Sequence, residues 1–328
     1  MLLTLGCASK PAPAPAPAPP PPPADGGAEL VIEGALETRV STWEADLVLF
    51  YGGETKGSVE TCGCPKRPRG SLSRLQAYLV ASRAQNTGVP DLLLHGGYLF
   101  EDAMGLDGGL RADVPVLNTW MRTGIEALGV DAVNVAYVDL PGFQALEAAP
   151  DWGVSANVRG PDGRAPAAGR LLDADGVKVG VTGITTSGMT FVETPEYTVD
   201  EPVEAAVAAL QDLSSQGAEV LVLLAYDAPA AAKEVAARVP ELDVVIDTAM
   251  HREFYEPFVE GHAVWVRSHY QTMRLGELRL KLDDGRVVGH LDRKIDLDPE
   301  VPDDLEILEI LVASRAAIGA AQEAVFGP

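Results

Sequence analysis

Basic residues are scarce in this chain. It has 25 Lys and Arg against 48 Asp and Glu over 328 residues, a formal charge of −23. Phosphate backbones are held by clustered cations, so no nucleic-acid partner is expected. A basic membrane-surface patch is excluded on the same ground. Cysteine is nearly absent, with Cys7, Cys62 and Cys64 the only three. No Cys-x-x-Cys-His occurs, which removes covalent c-type haem. Past the amino-terminal tract there is no repeat, composition break or second linker. What remains is a globular balance, 47% hydrophobic and 22% charged, in a chain long enough to bury a sizeable core.

The amino terminus reads differently from the rest. Met1-Leu2-Leu3-Thr4-Leu5-Gly6-Cys7 is a short apolar run ending in Gly-Cys, followed by the small residues Ala8 and Ser9. It is similar to the end of a bacterial lipoprotein signal, whose cysteine is lipidated, although no basic segment precedes it. Residues 10–25 are almost entirely Pro and Ala. Such a tract packs no core and extends as polyproline II at about 3.1 Å per residue, a semi-rigid tether. Residues 1–27 are therefore expected to be a lipoprotein-like signal end and tether, and residues 28–328 a single domain. The partner implied is a membrane, through lipid on Cys7, and the location a bacterial cell envelope, periplasmic or outer-membrane. Cys62 and Cys64 then form an even pair in an oxidising compartment, as a disulfide or a redox pair.

Hydrophobic periodicity gives the organisation of the domain. Apolar runs starting at Leu47, Leu92, Ala132, Val220 and Val244 have the length of buried parallel strands. Helices are expected over 71–85, 116–128, 202–216 and 228–239, each with an apolar stripe such as Leu72, Leu75 and Leu79. A short helical turn starts at Pro141. Strands are also expected over 153–158, 169–173 and 177–182, with Asp173-Ala174-Asp175-Gly176 turning the last two. From His262 the pattern is strands only, 263–267, 274–282 and 287–296, with a hairpin turn at Asp283-Asp284-Gly285. A helix over 303–321 follows. Alternating units before a β-rich tail indicate an α/β fold of two sheets packed face to face with helices outside. His262, His269 and His290 are expected at the surface, and Trp43, Trp120, Trp152 and Trp265 in packing roles.

In open α/β sheets chemistry sits beyond the carboxyl ends of the strands. Glu54, His95, Asp139, Asp227, Asp247 and His251 fall at that rim. Two imidazoles with carboxylates are a donor set for one divalent ion. They are equally the solvated loop residues of an acidic protein.

Four short motifs, in order, carry a family resemblance. They are Gly70-Ser71-Leu72-Ser73-Arg74-Leu75, Ser155-Ala156-Asn157-Val158, Gly176-Val177-Lys178-Val179-Gly180-Val181-Thr182-Gly183 and Leu275-Gly276-Glu277-Leu278. Over residues 45–295 the chain resembles the metallophosphoesterase (calcineurin-like) domain of bacterial periplasmic 5′-nucleotidases. The Cys62-Gly63-Cys64 insert resembles a lipoprotein-like branch. The resemblance implies a four-layer α/β/β/α sandwich of two mixed sheets flanked by helices. It also implies a two-metal centre that clamps a phosphate and activates a hydroxide.

Mapped onto that family's ligand motifs, this sequence has mostly other residues. Its Asp-x-His becomes Glu54-Thr55-Lys56, and its Gly-Asp becomes Gly97-Tyr98. Its Gly-Asn-His-Glu becomes Ala136-Tyr137-Val138-Asp139. A lone His becomes Tyr226, and Gly-His-x-His becomes Thr248-Ala249-Met250-His251. Lys56, Tyr98, Tyr137, Val138, Tyr226 and Ala249 thus replace ligands, and Lys56 sets a cation where an ion would lie.

The expectation is a membrane-tethered domain with a degenerate centre, acting as a non-catalytic binding or scaffold module with no cofactor. One alternative is a phosphoester hydrolase with one or two divalent ions in an atypical site. Another is a thiol-redox protein using Cys62 and Cys64, with Lys66, Arg67 and Arg69 favouring thiolate. The three rim tyrosines would form an apolar plug, or line a pocket for a small molecule or protein partner.

Overall fold

The computed structural model describes residues 25–188, 190–248 and 257–327. Fifteen strands are described: β1 Asp25–Ile32, β2 Leu47–Gly52, β3 Asp91–His95, β4 Ala132–Asn134, β5 Gly153–Val154, β6 Val158–Arg159, β7 Gly169–Ala174, β8 Val177–Thr185, β9 Thr198–Val199, β10 Val220–Tyr226, β11 Val244–Thr248, β12 Phe258–Glu260, β13 Ala263–Arg267, β14 Arg274–Asp283 and β15 Arg286–Asp296. The helices are α1 Leu36–Arg39, α2 Leu72–Gln85, α3 Val114–Leu128, α4 Leu140–Gln144, α5 Pro202–Ser215, α6 Pro229–Arg238 and α7 Leu305–Phe326.

The strands form a seven-stranded sheet, β1-β15-β14-β2-β3-β4-β5, and a six-stranded sheet, β12-β13-β11-β10-β8-β7. Both are mixed: β2, β3, β4 and β5 run parallel while β14 is antiparallel to β2 and β15. In the second sheet β8, β10, β11 and β13 are parallel, with antiparallel edges.

Side-chain alternation explains the layering. Leu47, Leu49 and Tyr51 of β2 meet Val222 and Leu224 of β10, Ile246 and Val181 between the sheets. The intervening residues Val48 and Phe50 turn the other way, onto Leu72, Leu75 and Leu79 of α2 and Met121 and Ile125 of α3. Leu221, Leu223 and Val245 face Val207 and Leu210 of α5 and Val235 of α6. The period of two along each strand thus feeds two layers at once, giving the four-layer α/β/β/α sandwich. No helix among the described residues is long and apolar enough to cross a membrane.

Some expectations differ from the structure. The first sheet begins at Asp25, so Asp25-Gly26-Gly27, read as the end of the tether, pairs in β1 with β15. The strand expected over 153–158 breaks at Ser155-Ala156-Asn157. There the Asn157 amide donates to Thr185 O and Asp200 O, both at 2.8 Å, and accepts from Thr185 N at 3.1 Å. Side-chain bonds of this kind compete with a ladder. Val158–Arg159 pairs instead with Thr198–Val199. His262 and His290, expected at the surface, are buried, and His262 Nε2 bonds Asp243 Oδ1 at 3.1 Å.

The first sheet also carries buried charge on both faces. On the helix side, Glu277 accepts from Tyr78 Oη at 2.6 Å and from Arg279 and Arg293 at 2.9 Å. Asp292, one residue from Arg293, accepts from Tyr51 Oη and Lys294 Nζ, each at 2.6 Å. Burial drives the Asp292 carboxyl well up and the Lys294 ammonium well down from their ordinary ranges. A buried pair broken on one side leaves an uncompensated group. Lys294→Met is accordingly expected to lower unfolding stability by about 3–5 kcal/mol, read from urea denaturation. Lys294→Met with Asp292→Leu is expected to recover most of that loss.

Candidate functional site at the strand ends

The carboxyl ends of β2, β3, β4, β10 and β11 meet at one rim, where the loop Gly53-Glu54-Thr55-Lys56-Gly57 lies beside 96–99. Glu54 N donates to Gly97 O at 2.9 Å, Lys56 N to Tyr98 O at 3.0 Å and Gly57 N to Leu99 O at 2.9 Å. Glu54, Lys56, Tyr98 and Asp227 all have positive φ, at 50°, 51°, 58° and 49°. Each such L-residue costs about 1 kcal/mol or more, which this local ladder offsets.

The sheets touch here. A Cβ on Gly96 would collide with the Thr248 hydroxyl, and one on Gly53 would stand 2.7 Å from Ser268 Oγ. Asn134, at the end of β4, crosses between the sheets, its amide donating to Gly96 O at 3.2 Å and Ile184 O at 2.9 Å. Thr248 Oγ1 and Ser268 Oγ are 2.9 Å apart.

The side chains of His95, Asp139 and Asp247 are engaged by other groups of this chain. His95 Nδ1 accepts from Gly97 N at 3.2 Å, so its proton is on Nε2, which lies 3.0 Å from Thr55 Oγ1. Thr55 in turn donates to Leu99 O at 3.3 Å. Burial lowers the His95 imidazole to about 3, so it stays neutral with its lone pair taken. Asp139 accepts from Tyr98 N and Phe100 N at 2.9 Å and from Ala136 N at 3.2 Å. Burial pushes its carboxyl up to about 7 against those amides. Asp247 is salt-bridged to Arg267. Asp227 N donates to Thr248 O at 2.7 Å, and its side chain is half-buried. Glu54 is buried, with Oε1 lacking a hydrogen-bond partner.

Three tyrosines cluster at this part of the rim. Tyr226, fully buried, packs edge-on against Tyr98 at 6.0 Å and Tyr137 at 5.8 Å between ring centroids. Ala136 and Val138 complete this cluster. Each aromatic pair contributes about 0.5–1.5 kcal/mol beyond its buried area. Tyr98 Oη donates to Asp102 Oδ1 at 2.9 Å. The Lys56 ammonium lies over the faces of Tyr98 and Tyr270, at 4.6 and 4.7 Å. The Lys56 charge acts on Glu54, which among the described residues is the one rim carboxylate with an unpartnered buried oxygen and no salt bridge.

These residues do not fit a two-ion centre. Among the described residues, Glu54, His95, Asp139, Asp227 and Asp247 bring no three ligand atoms within 4.8 Å of one another. Ala249 and His251, like Cys7, lie outside the described residues. The one acidic trio that does converge, Glu33, Asp296 and Asp298, was not anticipated. It is already threaded by guanidinium groups. Arg39 Nη2 is 2.7 Å from Asp298, Arg69 Nε 3.1 Å from Asp296 and Arg67 Nη1 3.0 Å from Glu33. Asn134, Thr55 and Thr248, which hold the rim together, also carry little signal in the sequence. Their only local mark is a polar residue ending an apolar strand. A cavity of about 650 Å³ lies elsewhere, lined by Phe100, Asn118, Arg122 and Leu146 among others.

Burial also pushes Glu54 up to about 7, with Lys56 opposing and Asp227 adding repulsion. A carboxyl raised in the folded state holds its proton more tightly there than when unfolded. Its contribution is full below the ordinary 4.5 and is lost as pH climbs through about 7. Glu54→Gln is expected to gain about 2 kcal/mol on wild type between about pH 5 and about pH 8, measured by urea unfolding at each pH.

Neither a family model nor a curated protein sequence matches the chain. Solved structures do. A 5′-nucleotidase precursor from Thermus thermophilus aligns over 84% of this chain and 59% of its own, at 20% identity and a TM-score of 0.67. The Thermus thermophilus sulfate thiohydrolase SoxB aligns over 83% and 61%, at 16% identity and a TM-score of 0.65. The calcineurin-like phosphoesterase YfkN from Bacillus subtilis aligns over 85% and 99%, at 16% identity and a TM-score of 0.59. The chain thus spans about three-fifths of the first two proteins, at 59% and 61%. The protein has the metallophosphoesterase fold, the scaffold of 5′-nucleotidases and calcineurin-like phosphoesterases.

Proposed function

We propose that this chain is a non-catalytic binding or scaffold module built on the metallophosphoesterase fold and tethered to the cell-envelope membrane through lipid on Cys7. The observation that carries the reading is the Tyr98–Tyr226–Tyr137 cluster, with Lys56 over Tyr98, at the place where ions would bridge the strand ends. The Lys56 ammonium opposes a divalent ion's charge, and neutral tyrosine hydroxyls, that of Tyr226 buried without a hydrogen-bond partner, are weaker ligands than the carboxylates and imidazoles such an ion takes. Hydrolysis by this scaffold needs the ions to polarise the phosphoryl group and generate hydroxide. The Gly6-Cys7 end and the Pro/Ala tract support the anchored, envelope-facing placement.

Purified full-length chain is expected to show no turnover of mono- or diester nitrophenyl phosphates or of nucleoside monophosphates above buffer, with Mn²⁺, Zn²⁺ or Co²⁺ present. Inductively coupled plasma mass spectrometry after dialysis is expected to show far less than one ion per chain. Turnover that a chelator abolishes would establish the alternative reading, a hydrolase with an unorthodox metal site.

A further inference from the structure

The segment Thr61–Gly70 is a hairpin-like loop closed by a bridge between its ends, with Cys62 N donating to Arg69 O at 2.7 Å. Its two cysteines are free; Cys62 is half-buried and Cys64 exposed. The loop is not loose. Arg67 and Arg69 pin it to Glu33, Asp296 and Asp298, and Arg74 Nη1 donates to Pro68 O at 2.8 Å. Within this frame Arg69 N donates to Cys62 Sγ at 3.2 Å. Cys64 stands on the same pinned loop with a single residue, Gly63, between it and Cys62. One thiol is thus held as an acceptor from the Arg69 backbone, with a second, solvent-facing thiol two positions along the same loop.

We propose that Cys62 and Cys64 form a redox dithiol that exchanges with the disulfide of a small thiol or peptide. The Cys62 thiolate attacks one sulfur of that disulfide, whose S–S bond breaks, and the departing thiolate takes a proton from water. Cys64, deprotonated by solvent, then attacks the Cys62 sulfur of the mixed disulfide, and the second thiol leaves. The partner disulfide gains two electrons and two protons, and the two cysteines lose them as a Cys62–Cys64 disulfide forms. Burial works to raise the Cys62 thiol, but the Arg69 N–H, the Cys64 thiol and the Arg69 guanidinium outweigh it and hold the thiol below the ordinary cysteine range. The neighbouring Cys62 thiol raises Cys64. That ordering makes Cys62 the attacking and Cys64 the resolving sulfur. With one residue between them on a loop held by Arg67, Arg69 and Arg74, the two sulfurs close the second step locally. The proposal holds whether or not the strand-end rim turns over a substrate.

The test uses the full chain carrying Cys7→Ser, so that only two thiols titrate. Iodoacetamide at neutral pH is expected to modify Cys62 about threefold or more faster in the native protein than in urea. With glutathione disulfide, and in a second arm with a disulfide-bonded peptide, the product is expected to be an internal disulfide two hydrogens lighter, by mass spectrometry. The faster arm identifies the source of the disulfide. Cys64→Ser is expected to stop at a mixed disulfide on Cys62, whereas Cys62→Ser slows the first step about tenfold. Arg69→Ala, which keeps both cysteines, is expected to move the pH midpoint of Cys62 alkylation upward. Equal alkylation rates in native and unfolded chain, or two glutathiones per chain without an internal disulfide, would overturn the proposal.

Discussion

The close approach of the two sheets at their carboxyl ends is the constraint on which the rest of this structure depends. Two stacked sheets ordinarily lie about 10 Å apart, filled by side chains from both faces. Here the backbone at Gly96 comes so near Thr248 that no side chain fits, and Asn134 spans from β4 to the Ile184 carbonyl of the other sheet. Backbone carbonyls and amides that would otherwise face a wet cleft are satisfied by Asn134, Asn157, Asp139 and Thr55. A two-ion site needs ligands with free lone pairs around a polar gap. This rim commits Asn134 Nδ2, Asp139 and Thr55 to closing the gap, while Glu54 Oε1 and Tyr226 Oη are buried without a hydrogen-bond partner.

Charge follows the same logic. Although the chain is strongly acidic, several of its cations are inside, at Arg39, Arg279, Arg293 and Lys294. Each meets carboxylates or carbonyls at hydrogen-bond distance, which is the condition under which buried charge is tolerable. Lys56 obeys a gentler version, with its ammonium over two tyrosine faces rather than in bulk water. At the rim, a tethered cation thus acts on a buried carboxylate without the ligand geometry a divalent ion would demand.

The layers were legible in the sequence because they are local. Strand runs at Leu47 and Val220, the stripes of α2, α3 and α5, and the turns at Gly176 and Gly285 depend on residues a few places apart. The tyrosines Tyr98, Tyr137 and Tyr226, read from the motif order as neighbours at the rim, do pack together there. What escaped was pairing at long range. β1 follows a Pro/Ala tract and gains its partner from β15, more than two hundred residues later, which no periodicity reveals. Asn157 broke an apolar strand because its amide found Thr185 and Asp200. His262 and His290 read as surface residues in late strands, yet both are buried in the fold, and His262 meets Asp243. The acidic trio of Glu33, Asp296 and Asp298 likewise joins the two ends of the domain.

The cysteine loop and the strand-end rim are in physical contact. Gly70 N donates to Leu297 O at 2.8 Å, and a Cβ on Gly70 would stand 3.1 Å from Gln271 O. Gln271 N in turn donates to Glu54 O at 3.1 Å, and Tyr270, its neighbour, stacks beneath Lys56. Gln271 and Thr272 both sit at positive φ, 49° and 53°, so this turn carries backbone strain on the path between loop and rim. Contiguity of this kind is not coupling, which requires an element with two arrangements that both sites bias. Among the described residues, the 270–272 turn touches both, as does the chain itself over 55–60.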